Sequence, residues 1–525
     1  MAFTKLNATA TTLTKNRTDA VCPFSGMCTT CIDGCLGTCE IGRSAIRGAE
    51  VIYPQPFGTI TAASEKDYPV DLSHFNIMGT AVGAFGVEAS SDKAVFPAVD
   101  LETAVGRDGA IKCRLPFIIP GLGSTDVAKN NWDGLAVGAA LAGVPLTVGE
   151  NVCGMDDDAV IENGHIVTSP DLERRVRLYK RWQRDGYGEI IVQANVEDTK
   201  LGVLEYAIEK LGVTAVELKW GQGAKDIGGE VKLTSLEKAQ RLYDRGYIVL
   251  PNPRDPKVIE AFNAGVFREF ERHSRLGMVS EESFAARVAE LRSLGAKHVF
   301  LKTGAYRPAD LARAVKYASK YKIDLLTVDG AGGGTGMSPW RMMNEWGVPT
   351  IEIWSLTYQY LQTLAARGEY IPPVALAGGI TMEDQVFKVL ALGAPYVKLV
   401  GMARGPIAAA MVGKNVGSLI AGGNVPGIYK KYGNSVEEVF VGSIEIKRML
   451  NGTFSEVPLG AVGLYTYYQR LAQGLRQLMA GERKFALKYI TRDDIAALTR
   501  EAAEISGITY IMDVDREEAE QILAC

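Results

Sequence analysis

From about residue 115 the chain alternates short β-branched runs with longer stretches in which apolar residues recur at helical spacing. Eight of the short runs read as strands: Phe117–Pro120, Leu146–Gly149, Glu189–Ala194, Ala215–Trp220, Val299–Thr303, Leu325–Asp329, Val374–Ala377 and Tyr396–Val400. Lys200–Leu211, Pro308–Tyr321 and Thr381–Leu392 are among the helical segments between them. Strands and helices in strict alternation predict an α/β fold, a (β/α)8 TIM barrel whose strand ends all deliver their loops to one face.

The regularity breaks in three places. The connection from Gly221 to Lys297 is far longer than a normal βα unit and holds its own apolar run, Tyr247–Leu250, followed by Pro251-Asn252-Pro253; it reads as an inserted excursion and not a ninth strand. Upstream, residues 41–114 are punctuated by proline and glycine with little periodicity and are expected to wrap the barrel. Downstream, amphipathic patterns at Tyr465–Met479 and Thr491–Ser506 predict helices that cover the barrel or form an oligomer surface. The expected organisation is a cysteine-rich segment at 1–48, a wrapping segment at 49–114, the barrel at 115–430 and a C-terminal helical extension at 431–525.

Composition narrows the function. A net charge of −4 over 525 residues, with no Lys/Arg block, argues against nucleic acid or an anionic membrane surface as partner. No apolar run reaches the ~20 residues of a bilayer span. The most apolar stretch, Leu135–Val148, is broken by glycine and proline and reads as a helix followed by a strand. The polar, threonine-rich N-terminus lacks a signal-peptide core. These features predict a cytoplasmic protein whose partner is a small molecule or another protein; a homo-oligomer is the expected assembly.

Glycine is abundant, at 57 residues, and its placement carries chemistry. Leu326–Pro339 reads LTVDGAGGGTGMSP, a strand running straight into a glycine loop. Similar loops follow later strands at Ala377-Gly378-Gly379 and Val400-Gly401-Met402-Ala403. Without Cβ atoms such loops take positive φ and lay backbone N–H groups against ligand oxygens, so a phosphate-bearing cofactor is expected where barrels commonly hold one, after strands seven and eight.

Five of the eight cysteines, Cys22, Cys28, Cys31, Cys35 and Cys39, crowd into eighteen residues. A reducing compartment disfavours disulfides there and favours metal. The spacing Cys28-x2-Cys31-x3-Cys35-x3-Cys39 lets consecutive thiolates reach different irons of one cube, so a four-iron iron–sulfur cluster ([4Fe-4S]) is the expectation. A zinc site, which prefers two CxxC pairs well apart, is the alternative.

Strand ends supply the remaining candidates: Glu150, Gln193, Asn195, Lys219, Gln222, Lys225 and Lys302. The segment ELKWGQGAKDIGG at Glu217–Gly229, followed by Lys302, GGTGMSP at Gly333–Pro339 and AGGI at Ala377–Ile380, resembles the FMN-binding domain of the glutamate synthase family over roughly 115–410. The resemblance implies an FMN-dependent oxidoreductase. Lys302 would stand at the flavin N1–C2=O edge, and Gln193 and Asn195 would line the cofactor. Gly378, Gly379, Gly401 and Ala403 would hold its phosphate, with Met402 at the cofactor, Gly333, Gly334, Thr335 and Gly336 beside it, and Arg404 pairing either with the phosphate or with a surface acid. Lys219, Gln222, Lys225 and Glu150 would face flavin and a carboxylate-bearing substrate.

On this reading electrons enter from a one-electron donor such as ferredoxin through the cysteine cluster and reduce an imine or oxo-acid, 2-oxoglutarate plus ammonia giving glutamate. Separate glutaminase or reductase subunits are candidate partners, because neither a glutaminase domain nor a dinucleotide fingerprint is seen. The alternatives are another substrate on the same scaffold, or an electron-relay subunit of a larger complex. Departures from the family pattern are Ala331-Gly332, where an acidic residue is usual before GGTG; Asn151-Val152 in place of two glycines; Thr303-Gly304 after the strand-five lysine; and no cysteine in Pro406–Val425.

Overall fold

A computed structural model describes residues 33, 35–37, 40–52, 66–223, 230–331, 338–451 and 453–525. Eight parallel strands close into a barrel in chain order. They are β1 (Phe117–Leu122), β2 (Leu146–Val148), β3 (Ile190–Ala194), β4 (Ala215–Lys219), β5 (His298–Thr303), β6 (Leu325–Asp329), β7 (Val374–Ala377) and β8 (Val397–Gly401). Each lies within two residues of the bounds predicted by its apolar run.

Local chemistry sets the strand-to-helix switches. Between β1 and β2, Thr125 caps helix α1 (Asp126–Ala142) by accepting from the Ala128 N–H, and Gly143 ends it at φ 66, turning the chain into β2. Helix α2 (Arg404–Ala421) follows β8, and the long helix α3 (Leu459–Gly481) packs across both α1 and α2. The approach is close: a Cβ on Gly134 would lie 2.9 Å from the Gly460 backbone, and one on Gly463 2.7 Å from Gly413 Cα.

The barrel interior is layered. A hairpin of Thr103–Val105 and Ile111–Cys113 contributes Val105, Ile111 and Cys113 to a cluster with Ile118, Ile191, Ala215, Phe300, Leu325, Ala375 and Leu399. Because side chains alternate along a strand, the inward position two residues further on is Gln193, Glu217, Lys302, Thr327, Ala377 or Gly401. Lys219 and Asp329 follow on the same face. The interior thus changes from an apolar floor to a charged mouth within two residues of strand.

The excursion after β4 forms its own antiparallel sheet, with Phe270–His273 between Glu230–Leu233 and Ile248–Leu250. Tyr247–Leu250 is therefore outside the barrel ladder, as its length and flanking prolines indicated. One expectation fails: Thr491–Ser506 is not a single helix. It divides into a 3-10 turn at Arg492–Asp494, a strand at Ile495–Ala497 and a helix at Arg500–Ser506. The strand pairs antiparallel with Phe75–Ile77, a distant partner that helical spacing within the segment could not reveal. Among the described residues, no helix is long and apolar enough to cross a membrane.

Candidate active site at the barrel mouth

Strand register brings two lysines side by side, because Lys219 on β4 pairs with Lys302 on β5. Two facing ammonium groups repel, and three carboxylates compensate. Lys219 Nζ donates to Glu150 Oε1 at 2.6 Å and to Gln222 Oε1 at 2.8 Å. Lys302 Nζ lies 3.3 Å from Asp329 Oδ2 on β6. Lys302 is only 5% exposed; burial pulls its pKa down, but Asp329, Glu217 and Glu150 outweigh that and leave it above the ordinary lysine value. An ammonium whose charge these carboxylates favour therefore sits low in the mouth.

Glu217 on β4 is buried and takes an N–H from Gln193 Nε2 at 2.5 Å. Burial pushes its pKa up, opposed by Lys302, Gln193 and Lys219. Gln193 Oε1 is buried with no partner among the described residues.

Glu150 rides on a strained turn. Asn151, at φ 63, gives its N–H to both carboxylate oxygens of Asp198, at 2.9 and 3.1 Å. Asp198 in turn forms a capping box with Asn195, whose Oδ1 accepts from the Asp198 N–H at 3.0 Å. Burial raises the Asp198 carboxyl to about 7 against the pull of the Asn151 and Asn195 N–H groups. Glycine is required where this turn meets β1, since a Cβ on Gly123 would fall 2.3 Å from the Glu150 carbonyl oxygen.

On the opposite side β7 ends in Gly378 and Gly379, at φ 133 and 97, and β8 runs through Gly401 into α2. The α2 N-cap, Ala403, supplies no side-chain cap. Burial lowers the pKa of Arg404, the first residue of α2, and the Asp329 charge opposes it. Met402 differs from the expectation: its N–H is committed to the Ile118 carbonyl at 3.0 Å, closing the barrel, and its side chain is buried.

These residues fit a flavin mononucleotide. Glycine backbone at β7 and an uncapped helix N-terminus suit its phosphate, the Lys302 ammonium suits an edge that gains negative charge, and the unpartnered Gln193 oxygen suits a ring N–H. Beside the mouth lies a cavity of about 480 Å³ whose walls include Lys219, Gln222, Trp220, Leu276, Met278 and Phe284.

Residues 272–411, spanning β5 to β8, match the conserved region of glutamate synthase. A glutamate synthase large subunit-like protein of Rhizobium meliloti (strain 1021) is 26% identical over 69% of this chain and 68% of its own length. The chain thus resembles the glutamate synthase family. Similar too are the glutamate synthase large subunit-like protein YerD of Bacillus subtilis (strain 168), 27% identical over 36% of this chain, and the archaeal glutamate synthase [NADPH] of Methanocaldococcus jannaschii, 29% identical over 40%. The chain spans about a third of each, 32% and 37%. A mutant flavocytochrome b2 with pyruvate bound overlays with TM-score 0.47 at 13% identity, over 86% of this chain and 81% of that one. The resemblance to glutamate synthase and the class, an FMN-dependent oxidoreductase, stand as the sequence motifs implied.

The fold brings together Glu150, Lys219, Gln222, Gln193 and Lys302. Asn195 sits at the cavity rim but spends its oxygen on a helix cap. Trp220 lines the cavity while its ring packs edge-on to Phe284 and Tyr317. Lys225, Gly333, Gly334, Thr335, Gly336, Cys22, Cys28, Cys31 and Cys39 lie outside the described residues. Cys35 is exposed, with its Sγ accepting the Gly37 N–H at 3.3 Å, and among the described residues no group of three or more His, Cys, Asp or Glu is placed to hold a metal. Sequence reasoning did not single out Glu217, Asp329 or Asp198. The first two had a signal: each shares the inward face of its strand with a predicted or floor position, two residues from Lys219 and four from Leu325.

Proposed function

We propose that this glutamate synthase-type barrel binds FMN and reduces an imine or oxo-acid, with 2-oxoglutarate plus ammonia as the substrate pair and electrons arriving from a one-electron donor such as ferredoxin. The observation that carries the reading is the mouth itself, where a buried, charged Lys302 stands beside Lys219, Glu150 and Gln222. FMN, when bound, supplies hydride transfer. The protein's residues supply charge, orientation and proton positions. Lys302 offers a fixed cation to the flavin ring. Lys219, held between Glu150 and Gln222, is oriented to take a substrate carboxylate, and exchange of its Glu150 contact for that carboxylate conserves the ion pairing. Arg404 and the Gly378-Gly379 turn would share the phosphate.

The cysteine run at Cys22, Cys28, Cys31, Cys35 and Cys39 is the proposed iron–sulfur site and the entry for electrons. Of these, Cys35 accepts the Gly37 N–H on its Sγ. Ferredoxin, separate glutaminase or reductase chains, self-association and a cytoplasmic location belong to the same proposal.

A second reading keeps the flavin and changes the substrate. It is favoured by the mainly apolar side chains Leu276, Met278, Val279 and Phe284 that the excursion contributes to the side cavity. Anaerobic spectra with and without dithionite test the cofactors: bleaching flavin bands and a broad bleachable shoulder are expected. Glutamate formed from 2-oxoglutarate and ammonia with reduced ferredoxin or a dye supports the first reading. Flavin reduction without glutamate supports the second.

A further inference from the structure

The Glu217–Gln193 pair in the middle layer of the barrel carries a consequence for how a ring is oriented. Glu217 is buried, at 2% exposed, and pairs across the ladder with Gln193 on β3, while the Lys302 charge on β5 bears on it. Gln193 is 1% exposed and makes one side-chain hydrogen bond among the described residues, Nε2 to Glu217 Oε1; its Oε1 is buried and unpartnered. A side-chain amide is nearly symmetric in shape, so packing cannot choose between its two orientations. The partner chooses. An ionised carboxylate only accepts hydrogen bonds, so Glu217 admits the amide NH2 and repels the amide oxygen.

The amide is also clamped from the other side. A Cβ on Gly121 would lie 2.5 Å from Gln193 Oε1 and 2.9 Å from Cδ and Nε2. With NH2 turned to Glu217 and the plane held against Gly121, the amide oxygen is left as a lone acceptor in a buried layer, an arrangement that costs free energy unless a donor arrives.

We infer that Glu217 is a positioning residue: it locks the Gln193 amide so that its oxygen accepts the one ring N–H of a bound isoalloxazine, N3–H. The inference rests on the flavin reading above. Glu217 needs no contact with the cofactor, and its effect travels through one hydrogen bond. Burial raises the Glu217 pKa, and Lys302, Gln193 and Lys219 oppose that rise; the lock itself rests on the geometry, the amide NH2 directed at Glu217 Oε1.

The test compares binding of FMN and N3-methyl-FMN to the full-length apoprotein by flavin fluorescence. Methylation removes the donor, so the native protein is expected to bind the methylated probe roughly tenfold more weakly, the worth of one buried hydrogen bond. In Glu217→Gln the amide is free to reverse, and discrimination is expected to fall to about threefold or less, chiefly through weaker binding of FMN itself. Gly121→Ala, which displaces the tip of a flexible side chain and not backbone, is expected to weaken both probes and compress the ratio as well.

Native discrimination retained in Glu217→Gln overturns the positioning role. A native protein that binds both probes equally overturns the Gln193 contact while leaving the flavin reading standing. No binding of either probe overturns both. Should Glu217→Gln fail to fold, Gly121→Ala decides by the same ratio, and an unchanged ratio there counts against the lock.

Discussion

Replacing Asp198 with asparagine should change how stability depends on pH, and the structure sets the size of the change. Asp198 is 1% exposed, accepts the Asn151 N–H on both oxygens and the Asn195 N–H at 3.3 Å, and has its pKa raised from 3.8 to about 7 by burial. The charges that bear on it are Glu150, which raises the value further, and Arg272, which lowers it. Because the folded chain holds this proton more tightly than the unfolded chain, the associated stability is complete below pH 3.8 and is lost as the pH rises through about 7. A rise of about 3 pH units at about 1.4 kcal/mol each sets an upper limit of about 4 kcal/mol. Asp198→Asn stays neutral throughout and sacrifices at most one hydrogen bond, about 1 kcal/mol. The variant is therefore expected to be slightly less stable than the native protein near pH 4.5 and to gain on it by about 2–4 kcal/mol by pH 8. Urea denaturation of both proteins at half-unit pH intervals measures the difference, in which the other titrating groups cancel. A difference that stays constant from pH 4.5 to 8 would show that Asp198 does not carry a proton in the folded state and would refute the reasoning.

Three further outcomes are expected. Lys302→Ala leaves Asp329 and Glu217 buried without their cation, so it should cost about 3–5 kcal/mol of stability in urea and slow reduction of bound flavin; normal reduction kinetics would remove Lys302 from the flavin edge. Gly123→Ala forces a Cβ toward the Glu150 carbonyl oxygen, 2.3 Å away, and should destabilise by about 1–3 kcal/mol; an unperturbed midpoint would mean that the turn carrying Glu150 moves freely. Cys31→Ser should leave FMN bound while lowering the iron content and blocking reduction by one-electron donors, and iron equal to the native protein would refute the cluster.

Much of this architecture is present in the one-dimensional pattern. Each barrel strand coincides with a short run of apolar or β-branched residues, because a strand buried on both faces has no alternative composition, and those runs place Lys219, Lys302 and the Gly378-Gly379 turn at strand ends before any coordinates exist. The excursion was legible for the same reason: its length and its prolines exclude it from a βα unit. What the pattern could not contain is register. Whether Lys219 faces Lys302, whether Glu217 meets Gln193, and whether Asp329 reaches Lys302 depend on the stagger of neighbouring strands, which hydrogen bonding between segments far apart in sequence decides.

Thr491–Ser506 makes the same point from the other side. Its spacing suits a helix, yet Ile495–Ala497 pairs with Phe75–Ile77, more than 400 residues away, and local periodicity cannot report a partner at that distance. Residue type and strand period, properties of the chain by itself, determined the barrel, its floor and the side on which chemistry occurs. Only closure of the barrel decided which charges became neighbours, and with it the protonated lysine, the raised carboxyls and the oriented amide, because electrostatic interaction depends on distance and burial, and both are set by the tertiary fold.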